Sequence, residues 1–188
     1  MAKKILGEWN TRTIVGVAIG VALFGVLMVY GGVKVFTNTS LTSAYVVVAV
    51  VAVLFGPVPA AITAGLGNVL ADLIGGWGFW FDWSAGNLVL GFLTGLGCVV
   101  GGANVKEGKF DAKNAIIYAV FVLLGCGLAF GVVTPILTYL FYSSELTITW
   151  GQATAAIISD GIVLLVIGIP LLFALASRNK RKYNLTKE

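Results

Sequence analysis

The sequence contains no histidine, two cysteines and four prolines, and only 11% of its 188 residues are charged. Without histidine, the commonest metal ligand and the commonest general base are both missing. Cys98 and Cys126 stand alone inside apolar segments, where a thiol behaves as a small hydrophobe rather than as half of a surface disulfide. A zinc, haem or iron–sulfur site is therefore not expected. Also missing are a GxxxxGKS phosphate loop and any serine or cysteine nucleophile with a partner base. No metal, cofactor or catalytic set is expected, and any energy for uphill movement of a solute must come from a partner or an ion gradient.

The scarcity of charge decides the class. A soluble chain carries about a quarter of its residues charged, whereas this one is 59% hydrophobic with a mean hydropathy of +0.98. We read an all-α integral membrane protein, a multi-pass protein of the cell membrane with no nucleic-acid partner. A single membrane domain occupies residues 1–188, because no polar stretch is long enough to fold separately. The first apolar run is charge-free from Thr13 to Val33 and lacks a cleavage-like site, so it is expected to stay as a helix rather than be removed as a signal peptide.

Six spans are expected, at about 13–31, 42–55, 58–74, 86–104, 114–134 with an extension to 142, and 150–176. In the first, Gly16 and Gly20 share one face, while Ala18, Ala22 and Gly25 gather nearly opposite. Small faces let helices approach closely in lipid, leaving one for the bundle and the other for a partner, against the alternative that both serve internal packing. The second span is short, roughly 21 Å against a hydrocarbon thickness of about 30 Å. Either it recruits part of the polar Lys34–Thr42 connection, or that connection dips inward and lines a cavity, the place where non-helical backbone is tolerated at depth. Gly56-Pro57-Val58-Pro59 separates the second span from the third.

Eleven of the twelve basic residues fall at the termini and in the 106–113 loop, with Lys34 alone on the other side. By the positive-inside rule the basic termini are cytoplasmic and the 76–80 region faces out. A re-entrant hairpin over 42–74, with four spans, would leave the same charge distribution.

The richest stretch is Asn68–Asn87, NVLADLIGGWGFWFDWSAGN, with three of the five tryptophans. Asn68 and Asp72 are four residues apart and share a helix face. Trp77, Trp80 and Trp83 alternate with glycines, Asp82 and Asn87, a mixture suited to an apolar pocket with a few placed polar groups. For these rings and for Trp150 the alternative is an interfacial aromatic belt. Asp160 lies about ten residues into the last span, where a carboxylate costs about 2.5–3.5 kcal/mol and needs a cavity or a partner. It is read either as a ligand or ion contact or as a polar lock between helices. Asn38 and Tyr45, near the first outer loop, complete the candidate ligand-binding set, with loop or packing roles as their alternatives.

Three segments carry a family resemblance: AIGVALFGVL, NTSLTSAYVVVAVVAVLFGPVPAAITAGLGNVLADLI and WGFWFDWSAGNLVLGFLTGL. Over about residues 14–100 the chain resembles the substrate-binding S components of energy-coupling factor (ECF) vitamin transporters, in the riboflavin-type group linked to hydroxymethylpyrimidine uptake. The resemblance implies a six-helix, non-catalytic subunit that binds a vitamin or vitamin precursor near its outer face. It implies partners, a transmembrane coupling subunit and two ATPase subunits, with Ala18 and Ala22 on the docking face. It also implies delivery by reorientation in the bilayer. The chain departs from the family pattern in having Ala71 just before Asp72 and no histidine near Asn68. A stand-alone proton-coupled carrier or channel using Asp160 and Asp72 is the alternative; a membrane enzyme is weaker still, for want of a catalytic set.

Overall fold

The computed structural model describes residues 5–37, 39–142 and 146–185; Asn38 lies outside the described residues. Helix α1 (Thr11–Tyr30) leads into an antiparallel hairpin, β1 (Gly32–Phe36) and β2 (Thr39–Thr42), and then α2 (Ala44–Phe55), α3 (Pro57–Gly75) and α4 (Phe81–Gly101). Helix α5 starts at Ala112 and α6 at Leu146; each continues through a π-helical turn, to Tyr142 and Leu185 respectively. Among the described residues, five helices are long and apolar enough to cross a membrane, and the twelve-residue α2 is a shorter apolar one.

Glycine holds the centre together. Gly91 and Gly95 of α4 press on the backbone of α3: a Cβ at Gly91 would sit 2.5 Å from the Ala60 carbonyl oxygen, and one at Gly95 2.5 Å from Pro57 Cα. Without side chains at these positions, the helices meet backbone to backbone, the packing expected where lipid gives no hydrophobic driving force. On α1, Gly16 packs against Phe55 and Gly20 against Val51 and Thr63, so this face belongs to the bundle. Ala18 and Ala22 are exposed, but Gly25, grouped with them above, is buried under Leu70. The outward small face is therefore Ala18 and Ala22 alone.

The short second helix is preceded by the hairpin, which folds inward with Thr39 and Thr42 buried. Its seam adds side-chain donors at the end of α1: Thr42 Oγ1 donates to Leu27 O at 2.7 Å, which also takes the Gly31 N–H, and Ser43 Oγ donates to Gly31 O at 3.0 Å, which also takes the Ser43 N–H. Across the bundle, Gln152 Nε2 donates to Thr37 O at 3.2 Å, and Phe36 lies against Gly151. The inward-dipping alternative describes this connection.

Helices α3 and α4 are joined by a short loop. Gly76 ends α3 in the left-handed conformation at φ 66°, which glycine adopts without Cβ strain. Helix α4 then starts at Phe81, earlier than the 86 expected, because its first amides are capped from elsewhere. The Trp80 N–H donates to Asp72 Oδ2 at 3.0 Å and the Phe81 N–H to the Tyr142 hydroxyl at 3.0 Å.

The extension of the fifth span is a continuous helix of 31 residues, Ala112–Tyr142. Its π turn, Ala129–Val133, comes just before Pro135; that of α6, Val163–Gly168, comes just before Pro170. A proline removes an N–H and crowds the carbonyl four residues back, and the wider turn accommodates both. The Tyr118 hydroxyl of α5 donates to Leu164 O in the α6 turn at 3.4 Å. The C-terminal part of α6 runs on to pack against the 104–109 loop, where Asn179 Nδ2 donates to Val105 O at 2.8 Å.

Candidate functional site

At the end of the bundle away from the basic 106–113 loop, the hairpin, the 76–80 loop and the near ends of the helices enclose a cavity of about 460 Å³. This lies within the usual range for small-molecule sites, about 300–1,000 Å³. Of the residues singled out in the sequence, the fold brings seven to its wall: Tyr45 from α2, Asn68 and Asp72 from α3, Trp77 and Trp80 from the loop, Trp83 from α4 and Asp160 from α6.

Asp72 has two neighbours in the aromatic loop. Its carboxylate accepts the Trp80 N–H, and its backbone oxygen accepts the Trp77 N–H at 3.1 Å. Trp80 Nε1 donates to Trp77 O at 2.9 Å, and the Trp80 ring leans on Tyr142 with centroids 4.9 Å apart. Trp83 packs against Phe130 at 5.7 Å. Thus one carboxylate and two aromatic contacts set the positions of the rings at the rim.

Below them runs a buried polar chain. The Tyr45 hydroxyl donates to Asn87 Oδ1 at 2.9 Å; Asn87 Nδ2 donates to Asn68 Oδ1 at 3.1 Å and to Trp83 O at 3.0 Å; Asn68 Nδ2 donates to Ser84 Oγ at 3.2 Å. The Tyr45 hydroxyl also lies against the Asp160 carboxyl, which accepts from Ser159 Oγ at 3.1 Å. Tyr45 is in turn held edge-on by Phe24, centroids 5.4 Å apart. Every member is buried and partnered, the condition under which a polar network stiffens a core rather than weakening it.

Three of the remaining sequence candidates stand elsewhere. Asn87 is fully buried behind Tyr45 and holds it. Asp82, also fully buried, accepts a hydrogen bond from Thr138 Oγ1, while its backbone oxygen accepts from Thr134 Oγ1 at 3.3 Å; it ties α4 to α5. Trp150 is half-exposed near the start of α6 and does not line the cavity.

Sequence reasoning missed part of the wall. From the hairpin come Lys34, Thr39 and Ser40; from α6 come Thr149, Gln152 and Ala156. The α6 set was within reach: counting back from Asp160 by helical turns gives 156, 152 and 149 on one face. Lys34 carried a signal too, as the lone basic residue away from the basic side. Thr138 and Met28 sit in apolar helices with nothing local to mark them.

The comparisons with known proteins agree with this architecture. The chain is 32% identical over 182 residues to a UPF0397 protein of Vibrio atlanticus (strain LGP32), covering 96% of this chain and 99% of that one. It is also 32% identical over 180 residues to a UPF0397 protein of Vibrio vulnificus (strain YJ016), covering 95% and 98%. Among solved structures, it is similar to FolT bound with folic acid, with a TM-score of 0.61 at 16% identity over 90% of this chain and 96% of that one. The structure of the S component of a bacterial ECF transporter matches with a TM-score of 0.50 at 18% identity over 96% and 100%. At those identities the two structures speak for the fold alone. Residues 8–177 match the family described as ECF-type riboflavin transporter, S component, and the chain belongs to that family of membrane transport subunits.

Proposed function

We propose that this protein is the substrate-binding subunit of an ATP-driven ECF importer. It captures a small vitamin or vitamin precursor, with hydroxymethylpyrimidine as the candidate suggested by the resemblance, and delivers it inward by reorienting in the bilayer. The observation that carries this reading is the cavity, which gathers three tryptophans and both Asp72 and Asp160 at the end of the bundle opposite the basic loops. With six spans and the basic termini cytoplasmic, that end faces outward. Tyr45, Asn68, Asp72, Trp77, Trp80, Trp83 and Asp160 are the ligand contacts in this reading, and Asn87 and Asp82 hold the walls. The coupling subunit and two ATPase subunits supply the energy.

Ala18 and Ala22 lie on an exposed face of α1, and Ala18 lines an apolar groove together with Trp9, Ile14 and Leu66. That face is the docking surface for the coupling subunit. Enlarging either alanine to leucine is expected to abolish co-purification with that subunit while ligand binding persists; retention of the complex in both variants would remove the assignment.

The direct test is ligand binding by the solubilised protein without ATP, with mass spectrometry of the small molecule that leaves with it. Trp80→Ala is expected to weaken that binding about tenfold or more, in the range for an aromatic anchor in a desolvated pocket. Unchanged affinity would return the tryptophans to the belt. Uptake into liposomes by this chain alone, driven by a pH gradient, would overturn the importer reading in favour of a proton-coupled carrier.

A further inference from the structure

The end of the bundle away from the cavity carries a fixed basic corner. Lys106 and Lys109 come from the 104–109 loop, Lys113 from the first turn of α5, and Arg178, Lys180 and Arg181 from the C-terminal part of α6; all six are exposed. They do not hang from loose segments. Asn104 and Lys109 exchange both backbone hydrogen bonds, at 2.8 and 2.9 Å, which closes the loop on itself. The closed loop is fastened to α6: Asn179 Nδ2 donates to Val105 O, and Gly108, at φ 76°, leaves room for the Lys180 backbone, whose nitrogen would stand 2.9 Å from a Cβ there. Next to this seam Phe110 meets Phe173 edge-on, with centroids 5.0 Å apart, and Val105 is fully buried. Three elements therefore present their cations from one platform.

The same segments hold two acids, and neither offsets the bases. Asp111 caps α5 by accepting the Asn114 N–H at 2.9 Å, and Glu107 pairs with Lys109 at 3.1 Å in an exposed contact, the kind that is worth little in water. Cations at a helix C-terminus answer its dipole, and basic residues beside spans set orientation. Neither effect gathers cations from three elements above lipid-facing side chains. Ile116, one turn deeper than Lys113 on the same face of α5, is 65% exposed; Phe173, two turns deeper than Lys180 on the same face of α6, is 36% exposed. Charge at the end of the bundle and apolar surface just below it is the order in which a phospholipid presents its phosphate and its chains. We propose that this corner binds the headgroups of anionic phospholipids, with the acyl chains lying along Ile116 and Phe173. The two arginines suit phosphate oxygens through paired N–H donors, and the lysines act as point charges. Clusters of four to eight basic residues beside a span attract anionic lipid, each cation adding about fivefold in affinity. The assignment concerns the end opposite the cavity and does not depend on the importer reading.

The test is native mass spectrometry of the purified full chain in neutral detergent, titrated with phosphatidylglycerol and, in parallel, with phosphatidylcholine of identical acyl chains. At low salt the anionic lipid is expected to bind about tenfold or more tighter, and raising the salt to about 0.5 M should erode that preference. Lys113→Gln, Arg178→Gln and Lys180→Gln combined, in protein whose melting midpoint is unchanged, are expected to shrink it about tenfold. The matched control, Lys3→Gln, Lys4→Gln and Arg12→Gln combined, removes the same charge from the N-terminal segment and should keep the preference. The proposal is overturned if phosphatidylcholine binds as tightly, if the preference ignores salt, or if the corner variant retains it. It is equally overturned if the N-terminal control loses as much, since net charge alone would then explain the binding. Glycerol phosphate separates the sources: at equal concentration it should not displace the lipid, and displacement would mark a site for free anions instead. If phosphatidylglycerol shows no preference and the corner variant loses co-purification with the coupling or ATPase subunits, the corner is a protein contact and the lipid assignment falls.

Discussion

Gly91→Val and Gly95→Val are expected to yield no stable protein, the largest loss that a single substitution should cause in this chain. Each side chain would be driven into α3 backbone, Ala60 O and Ala61 Cα in one case and Pro57 in the other. Overpacking against side chains costs about 1–3 kcal/mol, because they can change rotamer. Helical backbone has no such freedom, so the two helices must part, and they carry Asn68, Asp72 and Trp83 with them. Size-exclusion profiles from detergent extracts should show aggregate in place of a monodisperse peak. Gly127→Ala is the matched control: nothing lies within 4 Å of a Cβ there, and the change should be neutral or slightly stabilising. A monodisperse peak and an unchanged melting midpoint for either valine variant would mean that α3 and α4 are not packed at this distance.

Asn87→Asp is expected to be nearly as damaging as Asn87→Leu, despite its near-identical shape. Asn87 is fully buried and donates twice, to Asn68 Oδ1 and Trp83 O. A carboxylate has no hydrogens to give, so two acceptors would face a third in a fully buried position. Leaving a buried polar group unpaired costs about 1–3 kcal/mol; with several groups affected, the loss should reach about 3 kcal/mol or more. Thermal unfolding in detergent reads the effect. Tyr45→Phe leaves Asn87 Oδ1 without its donor and Asp160 without the phenol beside it, and should cost less than Asn87→Asp. A thermal midpoint for Asn87→Asp close to that of the parent would show that the amide does not donate in the directions drawn here.

The parts of the site that were legible in the sequence share one property: they are polar or aromatic groups set in apolar runs, where their cost makes them conspicuous. Asp160 and the Asn68–Asp72 pair belong to this class, as do the tryptophans. What could not be read depended on partners distant in the chain. Helix α4 has no side-chain cap of its own, since Asp72 and Tyr142 serve its first amides, so its true start carried no local signature. Asp82 looked like a ligand contact because its acceptor role toward Thr138, 56 residues away, leaves no trace in either neighbourhood. The hairpin strands are four and five residues long, and β1 is exposed throughout, so no alternation of burial marks them. Gly25 shares a helical face with Ala18, and only the position of Leu70 decides that it is covered.

The π turn in α6 has a consequence for the phase of that helix. Asp160, Leu164, Gly168, Leu172 and Ala176 are all buried, and they follow one another at intervals of four. In a regular α-helix each such step overshoots a full turn by about 40°, so the line from 160 to 176 would wind roughly 160° around the axis and its far end would face lipid. The wider turn at Val163–Gly168 takes up part of this drift, so a single inward line runs the length of the helix. The floor of the cavity at Asp160 and the Asn179 side chain bonded to Val105 thus lie along one seam. The irregular turn keeps opposite ends of the molecule in angular register.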